Sequence, residues 1–339
     1  MPLHALTFGD RGLGFTRVPL GVWENFVRAG ARLFRRDCGN LPPVLTSLDH
    51  VVVAVSDLEV ATATYRRLLG RSPSWRGTHP QLGTSNSLFR LSNTYLELLA
   101  PEGSGTLAEA LRARLALDGE GILGLAFGTP DATACAAELR ALGLPAADPG
   151  EGVGRDTATG AVRTWRSVLL PATATRGIVM FAVQHCSPPE ALPVASPDSV
   201  EAEIVSGLDH VVVASADLDA AAALYRDRLR LRLALDRRFE QRGLRLLFFR
   251  VGGITVELAG QLAGAPDREA PDRATGLAWR TEDVAAARAR LAAAGFEVSE
   301  VRRGQKRGTR VCTVRRETHG VSTLLIGPDT LSTPPPGAR

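Results

Sequence analysis

The sequence predicts an α+β fold of four βαβββ modules in mixed β-sheet, paired into two domains. Three observations carry this. The heptapeptide LDHVVVA stands at Leu48–Ala54 and again at Leu208–Ala214, 160 positions apart. The same offset aligns Asp57 with Asp217, Tyr65 with Tyr225 and Glu97 with Glu257, with no insertion between. A fainter copy follows each strong one: Asp131 lies seven residues after Gly124 and Asp283 seven after Gly276, as Asp57 lies seven after His50. Repetition at this scale marks a duplicated structural unit.

Each element has its own signal. HVVVA is an apolar, β-branched run and reads as a buried strand. SDLEVATATYRRLLG and ADLDAAAALYRDRLR follow as helices opened by Ser or Asp caps. SNSLFRLS and TYLELLA, or LRLLFFRV and ITVELAG in the second copy, read as further strands. The fainter copies supply a strand, a helix ending at Gly143 or Gly295, and strands such as TWRSVLLP, IVMFAVQH, RVCTVRR and VSTLLIG. The expected boundaries are an N-terminal extension over 1–44, a first domain over 45–186 (modules 45–118 and 119–186), a Pro- and Ser-rich linker over 187–205, a second domain over 206–330 (modules 206–270 and 271–330) and a tail over 331–339. Within the extension, Val22–Arg36 has the pattern of an amphipathic helix.

Composition narrows the function. With 45% hydrophobic and 22% charged residues in 339, the chain can bury ordinary cores. A net charge of +4 is small for this length, and VRRGQKRGTR lacks interleaved aromatics, which argues against nucleic acid. Lys306 is the single lysine among 40 basic residues, as expected of a GC-rich coding bias. Cys38, Cys135, Cys186 and Cys312 show no CxxC spacing and read as free thiols of a reducing compartment. No apolar run approaches membrane-spanning length, so a cytoplasmic location is expected.

The modules, with LDHVVVAVSDL opening and YLELLAP closing the first, resemble the vicinal oxygen chelate superfamily of glyoxalases, bleomycin-resistance proteins and extradiol dioxygenases. GTHPQLGTSN (Gly77–Asn86) is similar to the H-P-x-x-G-T-x-N stretch of glyoxalase-like domains. The resemblance implies two cup-shaped domains, each with a divalent metal (Fe, Mn, Ni or Zn) held by residues on the first and last strands of each module. Carried over, the ligand positions are His50 and Glu97 in the first module. In the second, Gly124 cannot ligate, and Gln184, counted back from Pro188 as Glu97 is from Pro101, takes the last-strand position. A one-residue slip or bulge would point His185 inward instead. In the second domain His210 and Glu257 stand at the module-three positions, with Gly276 and Leu324 at those of module four, a pair too sparse for a firm site. The resemblance also nominates His79 and Glu97 for proton transfer, and Asn86, Thr84 and His185 for substrate contact.

The implied function is Lewis-acid stabilisation of an enolate-like intermediate on a small oxygen-chelating substrate, in isomerase, epimerase or lyase chemistry. Ring-cleaving oxygenation is disfavoured because Gly124 and Gly276 replace a second histidine. The alternative is a metal-free His–Glu pair in a protein that binds or sequesters a small molecule. The expected partner is that small molecule, with nucleic acid and membrane excluded and homodimer formation left open.

Overall fold

The chain is described here from a computed structural model, over residues 44–197, 204–262, 267 and 269–329. The helix expected at Val22–Arg36 and the tail at 331–339 lie outside the described residues.

The first half runs β1 (Ser47–Ala54), α1 (Leu58–Leu69), β2 (Trp75–His79), β3 (Thr84–Arg90), β4 (Tyr95–Pro101), α2 (Thr106–Asp118), β5 (Gly121–Gly128), α3 (Ala132–Ala141), β6 (Gly150–Arg155), β7 (Val162–Leu170) and β8 (Val179–His185). The second half repeats the plan with β9 (Gly207–Ala214), α4 (Leu218–Ala222), β10 (Arg232–Phe239), β11 (Leu244–Val251), β12 (Ile254–Gln261), β13 (Arg273–Arg280), α5 (Val284–Ala293), β14 (Arg302–Arg303), β15 (Thr309–Val314) and β16 (Ser322–Pro328). Each half forms one cup-like eight-stranded sheet, in the orders β2-β3-β4-β1-β5-β8-β7-β6 and β10-β11-β12-β9-β13-β16-β15-β14. Within a module the first strand pairs parallel with the last, as β1 does with β4. The two modules join antiparallel through β1 and β5, or β9 and β13.

The repeated aspartates act where the pattern placed them. Asp57, Asp131 and Asp283 each accept two backbone N–H groups at the start of α1, α3 and α5, and Asp217 accepts one from Ala220. Gly70 closes α1 in the left-handed region at φ 68°. At the matching position of the second copy stands Arg230, also at positive φ, and the helix expected there is α-helical only over Leu218–Ala222 before widening into a π-turn at Ala223–Arg228.

Side chains alternate between the two faces of each sheet. One face packs against the helices. Val51, Val53, Leu96, Leu98 and Leu125 of the first sheet and Val211, Val213, Val256 and Leu277 of the second share a single core with α1, α3, α4 and α5. The halves are also stitched by polar contacts. Arg290 donates to the carbonyls of Arg67 and Leu68, and the Arg71 guanidinium donates to those of Val205 and Ala195.

Two elements fill the first cup from its open face. Helix α2, which the sequence reading did not place, sets Leu111 and Leu115 against Val52, Ala54 and Leu99. In the segment expected as a linker, the described residues include Leu192, buried against Trp75, Leu88 and Tyr95, and Ala195, whose N–H donates to Arg90 O.

The caps give a direct test. Asp57→Ala, Asp131→Ala and Asp283→Ala should each cost about 1 kcal/mol in urea unfolding, the usual value of a lost N-cap.

Candidate functional site

The site of the first cup is built on a β-bulge. The register between β1 and β5 shifts between Leu48 and His50, so the alternation breaks at Asp49. Leu48 packs in the helix-side core, whereas the Asp49 and His50 side chains meet each other, with His50 Nδ1 2.7 Å from Asp49 Oδ2. The second carboxylate oxygen of Asp49 takes His185 Nε2 at 2.8 Å. On the neighbouring strand β4, Tyr95 stands level with His50 and stacks on its ring, centroids 4.3 Å apart. Glu97, two residues on, places Oε2 3.4 Å from His50 Nε2. Asn86 on β3 donates its Nδ2–H to the other Glu97 oxygen at 2.8 Å. Five side chains thus form one line across the cup: His185, Asp49, His50, Glu97, Asn86.

The electrostatics follow from burial and partners. Burial alone would push the Asp49 carboxyl up, but hydrogen bonds and charge from His185 and His50 outweigh it and hold Asp49 well below the usual carboxylate range. An ionised Asp49 can only accept, so Nδ1 of His50 carries a proton and Nε2 is the atom that faces Glu97. Burial, reinforced by the charges of Asp49 and Glu97, lifts the Tyr95 hydroxyl well above its ordinary value, so it stays protonated. The guanidinium of Arg163 covers the rings of Trp75 and Tyr95 at 5.3 and 5.8 Å. His50 is 3% exposed, whereas the Glu97 side chain keeps 14% of its surface open and is the member of the pair that a ligand can reach.

Of the residues nominated from the sequence, His50, Glu97 and Asn86 are brought together. Gln184 is not. Met180 and Ala182 of β8 lie in the helix-side core, so Gln184 shares their face. Its Oε1 accepts from Ala132 N–H at the start of α3. The register gives the reason. His50 is level with Tyr95 and Glu97 is two residues further; Gly124 is level with Val179, so the matching residue is Phe181. Counting back from the proline misplaced this position by three. Phe181 lies edge-on to His50, centroids 5.3 Å apart. His185 reaches the line, but through Asp49. His79 and Thr84 close the β2–β3 hairpin, with His79 Nδ1 3.1 Å from Thr84 Oγ1. Asp49 was missed, although the signal was printed twice, as the Asp before each repeated His.

This donor set does not fit a firmly held divalent metal. Of the four facing positions, His50 and Glu97 can ligate. A Cβ at Gly124 would come 2.5 Å from Val179 O, so no side chain fits there, and Phe181 offers no donor. Among the described residues no group of three or more His, Cys, Asp or Glu converges as a metal site.

The second cup repeats half of this line. Asp209 Oδ2 takes His210 Nδ1 at 3.0 Å, and His210 Nε2 lies 3.8 Å from Glu257 Oε2. Gly276 and Leu324 occupy the other two positions by register. Burial, with Asp209 adding to it, raises the Glu257 carboxyl above its ordinary value despite His210.

Fold and site together define a duplicated βαβββ protein with one buried acid–base line in its first cup. Sequence profiles agree: residues 48–206 match the glyoxalase-like domain, and 209–313 match the glyoxalase/bleomycin resistance protein/dioxygenase superfamily. The chain belongs to the vicinal oxygen chelate superfamily, with a glyoxalase-like first domain. Members of the superfamily commonly use divalent metals. Among curated proteins it is similar to the ethylmalonyl-CoA/methylmalonyl-CoA epimerase of Cereibacter sphaeroides, 42% identical over 59 residues, which are 17% of this chain and 44% of that protein. It is likewise similar to the mitochondrial methylmalonyl-CoA epimerase of Mus musculus, 47% identical over 60 residues, 18% of this chain and 34% of that one. The chain thus spans less than half the length of the curated relatives it matches. A mutant 4-hydroxymandelate synthase from Streptomyces coelicolor has the same fold, with TM-score 0.62 at 17% identity over 85% of this chain and 94% of that one. Among the described residues no helix is long and apolar enough to cross a membrane.

The depressed Asp49 pKa predicts a pH signature. A carboxyl held below its unfolded value adds stability that is present above the ordinary range, about pH 4, and is lost as pH falls through it toward the folded value. Asp49→Ala should therefore cost about 3 kcal/mol at neutral pH, as when one partner leaves a buried pair. In chemical denaturation, the gap between variant and wild type should close as pH is lowered through the carboxylate range.

Proposed function

We propose that the first cup moves a proton on a small carbonyl compound by general acid–base catalysis without a metal, in isomerase or epimerase chemistry. The observation that carries this reading is the approach of Glu97 Oε2 to His50 Nε2, with Asp49 behind the imidazole and Asn86 on the other carboxylate oxygen. Glu97 is the base that removes a proton from carbon next to a carbonyl group. The Asn86 amide, and the His50 Nε2–H when the ring carries both protons, serve the ionised form of Glu97. Once it takes the proton its charge is gone, and the same two donors become available to the oxyanion that develops on the substrate. Asp49 accepts from the imidazole Nδ1–H throughout and so fixes which ring nitrogen faces Glu97. Return of the proton from Glu97 to a neighbouring atom completes an isomerisation, and return after the planar intermediate has turned its opposite face to Glu97 completes an epimerisation, with no redox partner and no leaving group. The names of the curated relatives, epimerases acting on CoA esters, support this class. Acyl-CoA thioesters with an acidic α-hydrogen are accordingly the first substrates to try.

The test is solvent exchange. Incubated in D2O with a panel of 2-substituted acyl-CoA thioesters and 2-oxo acids, the wild-type protein should add one deuterium to its substrate, read by mass spectrometry. Glu97→Gln and His50→Asn should each slow the exchange by about 10²–10⁴, the range for loss of a general acid–base group. Chelator treatment should leave the rate unchanged. Loss of exchange on chelation, restored by Fe, Mn, Ni or Zn, would overturn the metal-free reading. Tight ligand binding with no exchange anywhere in the panel would favour a sequestering protein instead.

A further inference from the structure

The two cups share one backbone plan, so their differences indicate what each is for. At the mouth of the first cup, β5 ends in Gly128, the partner of Ser47. The same register in the second half pairs Arg280 with Gly207, so an arginine stands where the first cup has a glycine. His185, the outer partner of Asp49, has Pro328 as its counterpart by strand register, four residues beyond Leu324 as His185 is beyond Phe181. Its place beside Asp209 goes to two cations: Arg280 Nε at 3.4 Å and Lys306 Nζ at 3.5 Å from Asp209 Oδ1. Lys306 lies in the hairpin between β14 and β15.

More positive charge lines the same edge. Pairing places Arg232, Arg250, Thr255, His210 and Ala278 in one row across the sheet. Arg250 donates to the neutral Thr255 hydroxyl at 2.9 Å, and Arg232 is exposed at the end of the row. Asp209 pairs with Arg280 and Lys306, Glu257 stands beside His210 as the other acid of the cup, and Arg280 spends two of its N–H groups on Asp209 and on Gly253 O. A guanidinium has five such donors in a fixed fork, so donors remain for a ligand. Below this rim His210 and Glu257 are flanked by apolar walls, with Phe248 level with Glu257 and Leu324 packed with Ala278, Val311 and Ile326. It is also more open than the first cup, His210 exposing 16% of its side chain against 4% for His50.

We propose that the second cup is a binding site for a small organic anion, a phosphate ester or carboxylate. Its charged head meets Arg280, Lys306 and Arg250, and its apolar body lies over Phe248 and Leu324. This rests on the second cup alone and stands apart from proton transfer in the first.

The full chain, titrated calorimetrically with phenyl phosphate and with inorganic phosphate, tests it. Wild type should bind one phenyl phosphate per chain, more tightly than inorganic phosphate, which lacks the apolar body. Arg280→Gly, which installs the residue of the first cup, and Lys306→Met should each weaken binding about tenfold. Lys306→Arg, which keeps the charge, should retain it, and His50→Asn in the first cup should bind as wild type does. If Arg280→Gly does not fold by circular dichroism, Lys306→Met, at an exposed hairpin position, carries the same comparison. No binding by wild type, equal affinity in Lys306→Met, or loss of binding in His50→Asn would each overturn the proposal, as would equal affinity for the two probes.

Discussion

Between Leu48 and His50 strand β1 takes one residue more than its partner β5, and the line of polar side chains across the cup depends on that bulge. Regular alternation from Val51 would send Asp49 into the helix-side core in the place Leu48 takes, where an ionised carboxylate without a partner could not be tolerated. The bulge instead sets the acid beside His50 and within reach of His185. Three consequences follow from that one irregularity: a fixed tautomer for His50, a carboxylate that stays ionised under burial, and an imidazole nitrogen aimed at Glu97. The second half breaks register at the same place, between Ala278 and Trp279 opposite His210 and Leu208, and Asp209 again turns to its histidine.

Duplication allowed the two cups to diverge without disturbing this geometry. The helices of both halves share one core, so neither sheet can shift far relative to the other. The open faces are freer to change. In the first, α2 and Leu192 cover a buried acid–base line; in the second, the corresponding space is more open and its rim carries cations. Module two of the first cup and module four of the second contribute wall rather than ligands, with Gly124 and Phe181 in one and Gly276 and Leu324 in the other. The superfamily's usual metal chemistry is therefore poorly served by either set of facing residues, whereas a proton relay needs only the pairs that remain.

Much of the fold was legible in the linear pattern. The repeat, the aspartate caps and the apolar first strands each rest on local chemistry that tertiary structure had no reason to override. The elements that escaped are those with weak local signals. Strands β2 and β10 lie at sheet edges, and β10 is mostly exposed, so no apolar alternation marks it. Helix α2 buries only Ala108 and Leu111 fully. The packing of Leu192 could not be read from a Pro- and Ser-rich stretch, because its partners Trp75, Leu88 and Tyr95 are about a hundred residues earlier.

By itself the sequence determined the duplicated βαβββ plan and the correspondence of His50 and Glu97 with His210 and Glu257, because one spacing recurs in both copies; that each His meets its Glu was implied by the resemblance to the superfamily. Only the tertiary structure decided which residues complete those pairs. A step of one residue along a strand moves a side chain to the opposite face, and neither the loop lengths nor the prolines count such steps. That is why Gln184 caps a helix, Phe181 takes the position reserved for it, and Asp49, read in sequence as an ordinary neighbour, becomes the charged centre of the line.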